Sequence, residues 1–265
     1  MESIIVDDIT ILFESDEKPA ANLFANACKK SVPLIYDTWG LNVPPKCQVY
    51  VMTSWQQFLL HSAPWYRKVI ILITFPLLYL NINKEWSKIA GWALPYQPTI
   101  GVKPPTLLNL QNKAIGEKIY VQETDLNRKA QGYLCHELVH ACSNHLKLPL
   151  WLNEGIAMYT VDKLIGNPTV KDETLQLLNI YPHKHKLLNY RNLMNADVDG
   201  IVYNYVRGYW LTRFLEKNCT GFLGTLLRKH QNERELVRLI SNKLSIRLED
   251  FWNEIDKKIV KEFVL

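Results

Sequence analysis

The sequence lacks the features of a membrane-embedded, secreted or nucleic-acid-binding protein. Its most apolar run, residues 69–80, spans twelve residues and contains Pro76, so it is too short for a membrane-spanning helix. The five cysteines are odd in number and scattered, which argues against a disulfide framework. No positively charged flank with an apolar core stands at the N-terminus, so we expect no export signal and a cytoplasmic location.

Neither basic nor acidic residues are in large excess. The chain has 31 basic and 26 acidic residues, a net charge of +5, and no dense basic block, so no nucleic-acid partner is expected.

The apolar run 69–80 predicts a buried strand or helix. The alternative for this run is an exposed apolar lip that contacts a membrane surface or a substrate.

Internal repeats, low-complexity tracts and linkers rich in glycine and serine are absent as well. Hydrophobic residues make up 48% of the chain and charged residues 22%, which is the usage of an ordinary globular protein. We therefore expect one domain over residues 1–265 with two lobes, an α/β lobe at 1–145 and a mostly helical lobe at 146–265.

The first lobe alternates strand and helix patterns. They predict a strand at Ile9–Phe13, a helix over about 17–39, a strand at Gln48–Thr53, a short helix after an N-terminal Ser54 cap, and an irregular or edge strand within 91–105. After residue 200 the pattern is almost wholly helical, with a break at the Asn-Cys-Thr-Gly sequence 218–221.

A helix that starts after Asp125 carries two contrasting faces. Its apolar stripe at helical spacing is Leu126, Ala130, Leu134, Leu138, Ala141 and Cys142. The opposite side is polar and comprises Tyr133, His136, Glu137, His140 and Asn144. Such a polar face on a buried helix indicates a functional site.

Residues 136–140 have the sequence His-Glu-Leu-Val-His. Histidines four residues apart lie on one helical face about 6 Å apart along the axis, so His136 and His140 can share one metal ion. Glu137 points beside that ion and can accept a proton from a zinc-bound water. The alternative is a pair of surface histidines on an amphipathic helix.

A second motif follows at residues 151–157, with the sequence Trp-Leu-Asn-Glu-Gly-Ile-Ala. The two motifs together resemble those of gluzincin zinc metallopeptidases of the peptidase MA-like clan, which include thermolysin and the aminopeptidase N family. The resemblance implies that Glu154 is the third zinc ligand. Two imidazoles and one carboxylate leave a fourth position open, which is the pattern of catalytic zinc sites. The separation of Glu154 from His140 is shorter than in many gluzincins.

Residues 205–209, Tyr-Val-Arg-Gly-Tyr, resemble a segment of the aminopeptidase N family in which a tyrosine donates to the oxyanion of the tetrahedral intermediate. The resemblance gives that role to Tyr205, with His183, His185 and His230 as the alternatives. The glycine-x-methionine-glutamate-asparagine motif that holds a free amine in that family is missing. A typical aminopeptidase is therefore not expected.

The resemblance implies an α+β, zincin-like fold, with a small mixed sheet in the N-terminal lobe, the zinc helix, and a helical C-terminal lobe. The expected protein is a zinc metallopeptidase that binds Zn²⁺ and cleaves a peptide or protein substrate, with Glu137 as general base. Two alternatives remain open. One is a metal-binding pseudopeptidase used for protein recognition, and the other is a zinc hydrolase of a non-peptide amide or ester.

Overall fold

The computed structural model describes residues 1–62, 86, 89–94, 97–110, 113–180, 187–190, 192–193, 196–229 and 232–264. The apolar run 69–80 lies outside these residues, so its expected burial stays a prediction. Within the described part of the chain, no helix combines the length and apolar character needed to cross a membrane.

Five described strands form one mixed sheet in the order β1-β2-β3-β5-β4. Their bounds are β1 Glu2–Val6, β2 Ile9–Phe13, β3 Cys47–Val51, β4 Gly91–Ala93 and β5 Thr99–Val102. The β2-β3 and β3-β5 pairs are parallel, whereas β1 and β4 run antiparallel to their neighbours β2 and β5. Among these strands, β1 and β4 therefore form the two edges.

Helices account for most of the remaining described residues. The bounds are α1 Lys18–Trp39, α2 Trp55–Ser62, α3 Lys113–Ile119, α4 Leu126–Ser143, α5 Leu150–Ile165, α6 Gln176–Ile180, α7 Val198–Asn218, α8 Phe222–Leu227, α9 Glu233–Lys243 and α10 Phe251–Phe263. A small N-terminal sheet followed by a helical C-terminal part confirms the expected α+β class.

Local chemistry explains the first elements. Ile9, Ile11 and Phe13 are buried while Thr10 and Leu12 between them are partly exposed, which is the alternation of a strand with one covered face. The long helix α1 then carries the chain back along the sheet, so that β3 can pair in parallel with β2. A parallel pair requires a crossover connection of this kind. The expected Ser54 cap is present, since its Oγ accepts from the Gln57 amide at 3.3 Å.

The described chain divides into two compact units. The first comprises Met1–Val32, Val43–Lys113 and Glu123–Ala141, and the second comprises Pro33–Asn42, Ala114–Gln122 and Cys142–Leu265. The first unit contains the sheet. A cluster of Tyr50, Met52 and Phe58 forms part of its core, and Trp86 and Trp92 pack against that cluster.

The second unit is built around the crossing of α5 and α7. Gly155 and Gly208 lie at this crossing, and a Cβ added to Gly208 would meet the Trp151 carbonyl oxygen. A buried bidentate pair joins α7 to α10: Arg207 donates to the two carboxylate oxygens of Asp256 at 2.9 and 2.6 Å. These contacts hold α5, α7 and α10 together around a common core.

Candidate metal centre

Helix α4 carries the two histidines on one face. Its start is fixed as expected, because the Asp125 carboxylate accepts from the amides of Asn127 at 2.9 Å and Arg128 at 3.1 Å. The Nε2 atoms of His136 and His140 lie 3.0 Å apart, and the ring planes are inclined at 89°. Two nitrogens bound to one tetrahedral zinc at the usual bond length lie about 3.3 Å apart. The imidazoles are therefore already close to a chelating arrangement.

Glu154 supplies the third donor from helix α5. The ligand atoms of His136, His140 and Glu154 all lie within 4.8 Å of one another. The Glu154 side chain is buried, and its neighbours Leu152, Gly155 and Ile156 are buried too. The structure thus brings together the three residues that the sequence predicts as ligands, from two helices that a short turn connects.

The chemistry of this donor set fits a metal ion. Imidazole nitrogen and carboxylate oxygen are ligands for zinc and other divalent transition metals, and three protein donors leave further coordination positions open. A carboxylate buried among apolar residues is costly to ionise unless a cation lies beside it. His136, His140 and Glu154 form a group that could bind such an ion.

Glu137 follows the first histidine and is buried at 9% exposure. Gly91, at the start of edge strand β4, packs directly against it: a Cβ at this position would lie 2.6 Å from Glu137 Cγ and 2.9 Å from Oε1. Only a residue without a side chain leaves the carboxylate in its present place. The sequence predicts a strand near Gly91 but gives no sign of this contact, which depends on tertiary packing.

Cys135, the neighbour of His136 in sequence, is not part of the group that could bind the ion. The thiol is fully buried next to His136 in sequence but about 100° around the helix. Burial raises its pKa to about 12. Its burial and its direction on the helix place the thiol in the packed core, apart from the group that His136, His140 and Glu154 form.

The structure does not test the residues that were expected to stabilise the oxyanion. Tyr205 lies on α7 and is partly exposed, and its catalytic role stays a prediction. His183, His185 and His230 lie outside the described residues.

The sequence does not predict a series of side-chain hydrogen bonds that runs from Ser143 at the end of α4 through Asn153 to Tyr190. Its only signal in the sequence is the asparagine that precedes Glu154.

The chain was compared with protein-family models, with curated proteins and with solved structures. None of the three comparisons finds a match. Inferences about function therefore depend on the site residues themselves.

Proposed function

We propose that this protein is a zinc-dependent metallopeptidase in which His136, His140 and Glu154 hold the ion and Glu137 is the general base. The observation that carries the proposal is the convergence of the three donor atoms within 4.8 Å of one another. Glu137, next to His136 on the same helix, supplies the proton acceptor that a purely structural metal site does not need.

The chemistry divides between the ion and the protein. A zinc ion bound here would supply Lewis-acid polarisation of a substrate carbonyl and acidification of water. The Glu137 carboxylate accepts the proton of the attacking water as the new carbon–oxygen bond forms. It then returns that proton to the leaving nitrogen as the carbon–nitrogen bond breaks. Burial of Glu137 and its contact with Gly91 keep the carboxylate in one orientation for both transfers.

A peptide is the substrate that edge strand β4 favours. Among the described strands, β4 pairs only with β5, so no described strand covers its outer edge. An extended peptide can bind such an edge through main-chain hydrogen bonds. Because Gly91 of β4 touches Glu137, a peptide aligned along this edge would pass close to the general base.

The test separates metal binding from turnover. We expect about one zinc per chain by elemental analysis. The same measurement distinguishes zinc from Fe(II), which two histidines and a carboxylate can also bind. The variant Glu137→Gln should keep the zinc and lose at least about a hundredfold in peptide cleavage, because the amide retains the shape but accepts no proton. Cleavage is measured by mass spectrometry on a proteome-derived peptide library.

Two results would overturn the proposal. Undiminished cleavage by Glu137→Gln removes the general-base assignment. A zinc-loaded parent that cleaves no peptide favours the pseudopeptidase, or a hydrolase of non-peptide amides or esters if such substrates are turned over. His140→Ala serves as the matched control, since it should lose both the metal and the activity.

A further inference from the structure

A groove of about 770 Å³ opens on the surface of the second compact unit. Its apolar walls are formed by Leu187, Val237, Leu248 and Trp252. The polar lining residues are consecutive in the chain at the start of α9, namely Asn232, Glu233 and Arg234. Polar groups are therefore confined to one part of a groove that has the size of a ligand site.

Trp252, near the start of α10, forms a fixed wall of this groove. Its ring packs edge to face against Trp151 and Phe251, with centroids 5.4 and 4.9 Å away. The guanidinium of Arg207 lies 4.3 Å from the centroid of the Trp252 ring and is itself held by Asp256. A side chain held on several sides needs little further ordering when a ligand packs against it.

The charged groups at the start of α9 differ in whether they have a partner. Glu233 Oε1 accepts from Trp151 Nε1 at 3.1 Å, which directs that carboxylate toward α5, and Glu235 is paired with Arg238. In the described part of the chain, Arg234 takes part in no hydrogen bond, ion pair or ring contact. Its unpaired guanidinium and the positive end of the helix dipole both favour an anionic group in this part of the groove.

We propose that the groove binds a carboxylic acid with a long apolar chain, with the carboxylate on Arg234 and the chain along Leu248 and Trp252. The planar guanidinium matches a carboxylate with two parallel hydrogen bonds, and the apolar walls match an aliphatic chain. A peptide fits less well, because its main-chain amides would lose water against walls that offer few hydrogen bonds. This site is separate from the proposed metal chemistry and does not depend on it.

Titration calorimetry with decanoate, hexanoate and decylammonium on the full chain tests the proposal. Excess acetate in every titration occupies any open position on a metal ion. The parent should bind decanoate roughly tenfold more tightly than hexanoate, because four more methylene groups leave water. Decylammonium has the same chain and the opposite charge, so it should bind about fivefold more weakly than decanoate.

Three variants at exposed positions assign the binding to this groove. Arg234→Gln should abolish the preference for decanoate over decylammonium. Lys243→Gln removes the same charge about 13 Å further along α9 and should leave both affinities unchanged. Leu248→Ser, at a side chain that is 39% exposed, should weaken both ligands by about threefold because it shortens the apolar wall. Equal Tm values of the variants and the parent show that the fold is retained.

Three results would overturn the inference. One is equal binding of decanoate and decylammonium by the parent, or no binding of either. Another is a preference for decanoate that survives in Arg234→Gln. The third is a dimer of the parent, seen by sedimentation velocity, that Leu248→Ser dissociates, because a second copy of the chain would then occupy the groove.

Discussion

Gly91 lies directly against the side chain of Glu137, the proposed catalytic carboxylate. Atoms at the position of an alanine Cβ would lie less than 3.0 Å from Cγ and Oε1 of Glu137. The backbone of β4 cannot easily retreat, because Gly91 is paired with Val102 of β5. The long glutamate side chain is the part that can move. A side chain at position 91 would therefore displace the base and leave the fold intact.

Gly91→Ala should lower kcat by at least about tenfold while the zinc content stays unchanged, since the histidines and Glu154 are untouched. Steady-state kinetics and elemental analysis on the same preparation measure both quantities. In a Glu137→Gln background the alanine should have no further effect, because it acts through the carboxylate. An additive loss in the double variant would show that Gly91 acts by another route.

At the residue scale, the sequence predicts contacts within one helix better than contacts between distant segments. The common face of His136 and His140 follows from helical periodicity, and the structure brings Glu154 to them as the motif resemblance implied. The Asn153–Tyr190 bond joins residues 37 positions apart. No local spacing encodes such a pair, because it forms only when the α5–α6 segment and the loop before α7 have packed.

The close crossing of helices α5 and α7 positions Glu154. A Cβ at Gly208 would clash with the carbonyl oxygen of Trp151 and lie 3.2 Å from its Cα. Both are backbone atoms of α5, so neither can rotate away. The two helices can approach this closely only because position 208 has no side chain.

Gly208→Ala should destabilise the protein by about 1–3 kcal/mol, the usual cost of overpacking, because α5 and α7 must separate. Zinc retention under mild chelation should fall as well, since Trp151 lies one helical turn before Glu154. Urea unfolding and residual zinc content measure the two effects.

Gly116→Ala on α3 is the matched control. A Cβ at that position meets nothing within 4 Å, so the substitution should be neutral or stabilise the helix by up to about 1 kcal/mol. Equal stability changes in the two variants would mean that the crossing does not require its glycine.

Strong hydrophobic periodicity predicts which helices and strands exist, but it predicts edge strands poorly. Strand β2 and helix α1 occur where the pattern predicts them, and the helical tail breaks near Gly221 as expected. Strand β1 is not predicted from the sequence. Four of its five residues are exposed or only partly buried, so it shows little hydrophobic alternation. It forms through pairing with β2 across a turn in which Asp7 has a φ of 49°.

At the scale of the whole molecule, metal binding and folding are linked. An ion that binds the native state and not the unfolded chain stabilises the protein by about 2.7 kcal/mol when its free concentration is a hundred times the Kd. The donors come from two helices, so the unfolded chain does not hold them together. The buried carboxylate of Glu154 adds to this dependence, because a bound cation favours the charged form of a buried acid.

Removal of the metal should therefore lower the Tm of the parent by roughly 5–10 °C, as that free energy implies for a chain of this size. Differential scanning calorimetry before and after dialysis against a chelator measures the shift, and added zinc should restore the original Tm. The variant His140→Ala lacks one donor and should show neither the loss nor the recovery. A comparable chelator-induced loss in His140→Ala would place the stabilising ion elsewhere in the molecule. If chelation strips one zinc per chain from the parent and leaves its Tm unchanged, the ion does not bind the native state in preference to the unfolded chain, and the proposed link between metal binding and folding is wrong.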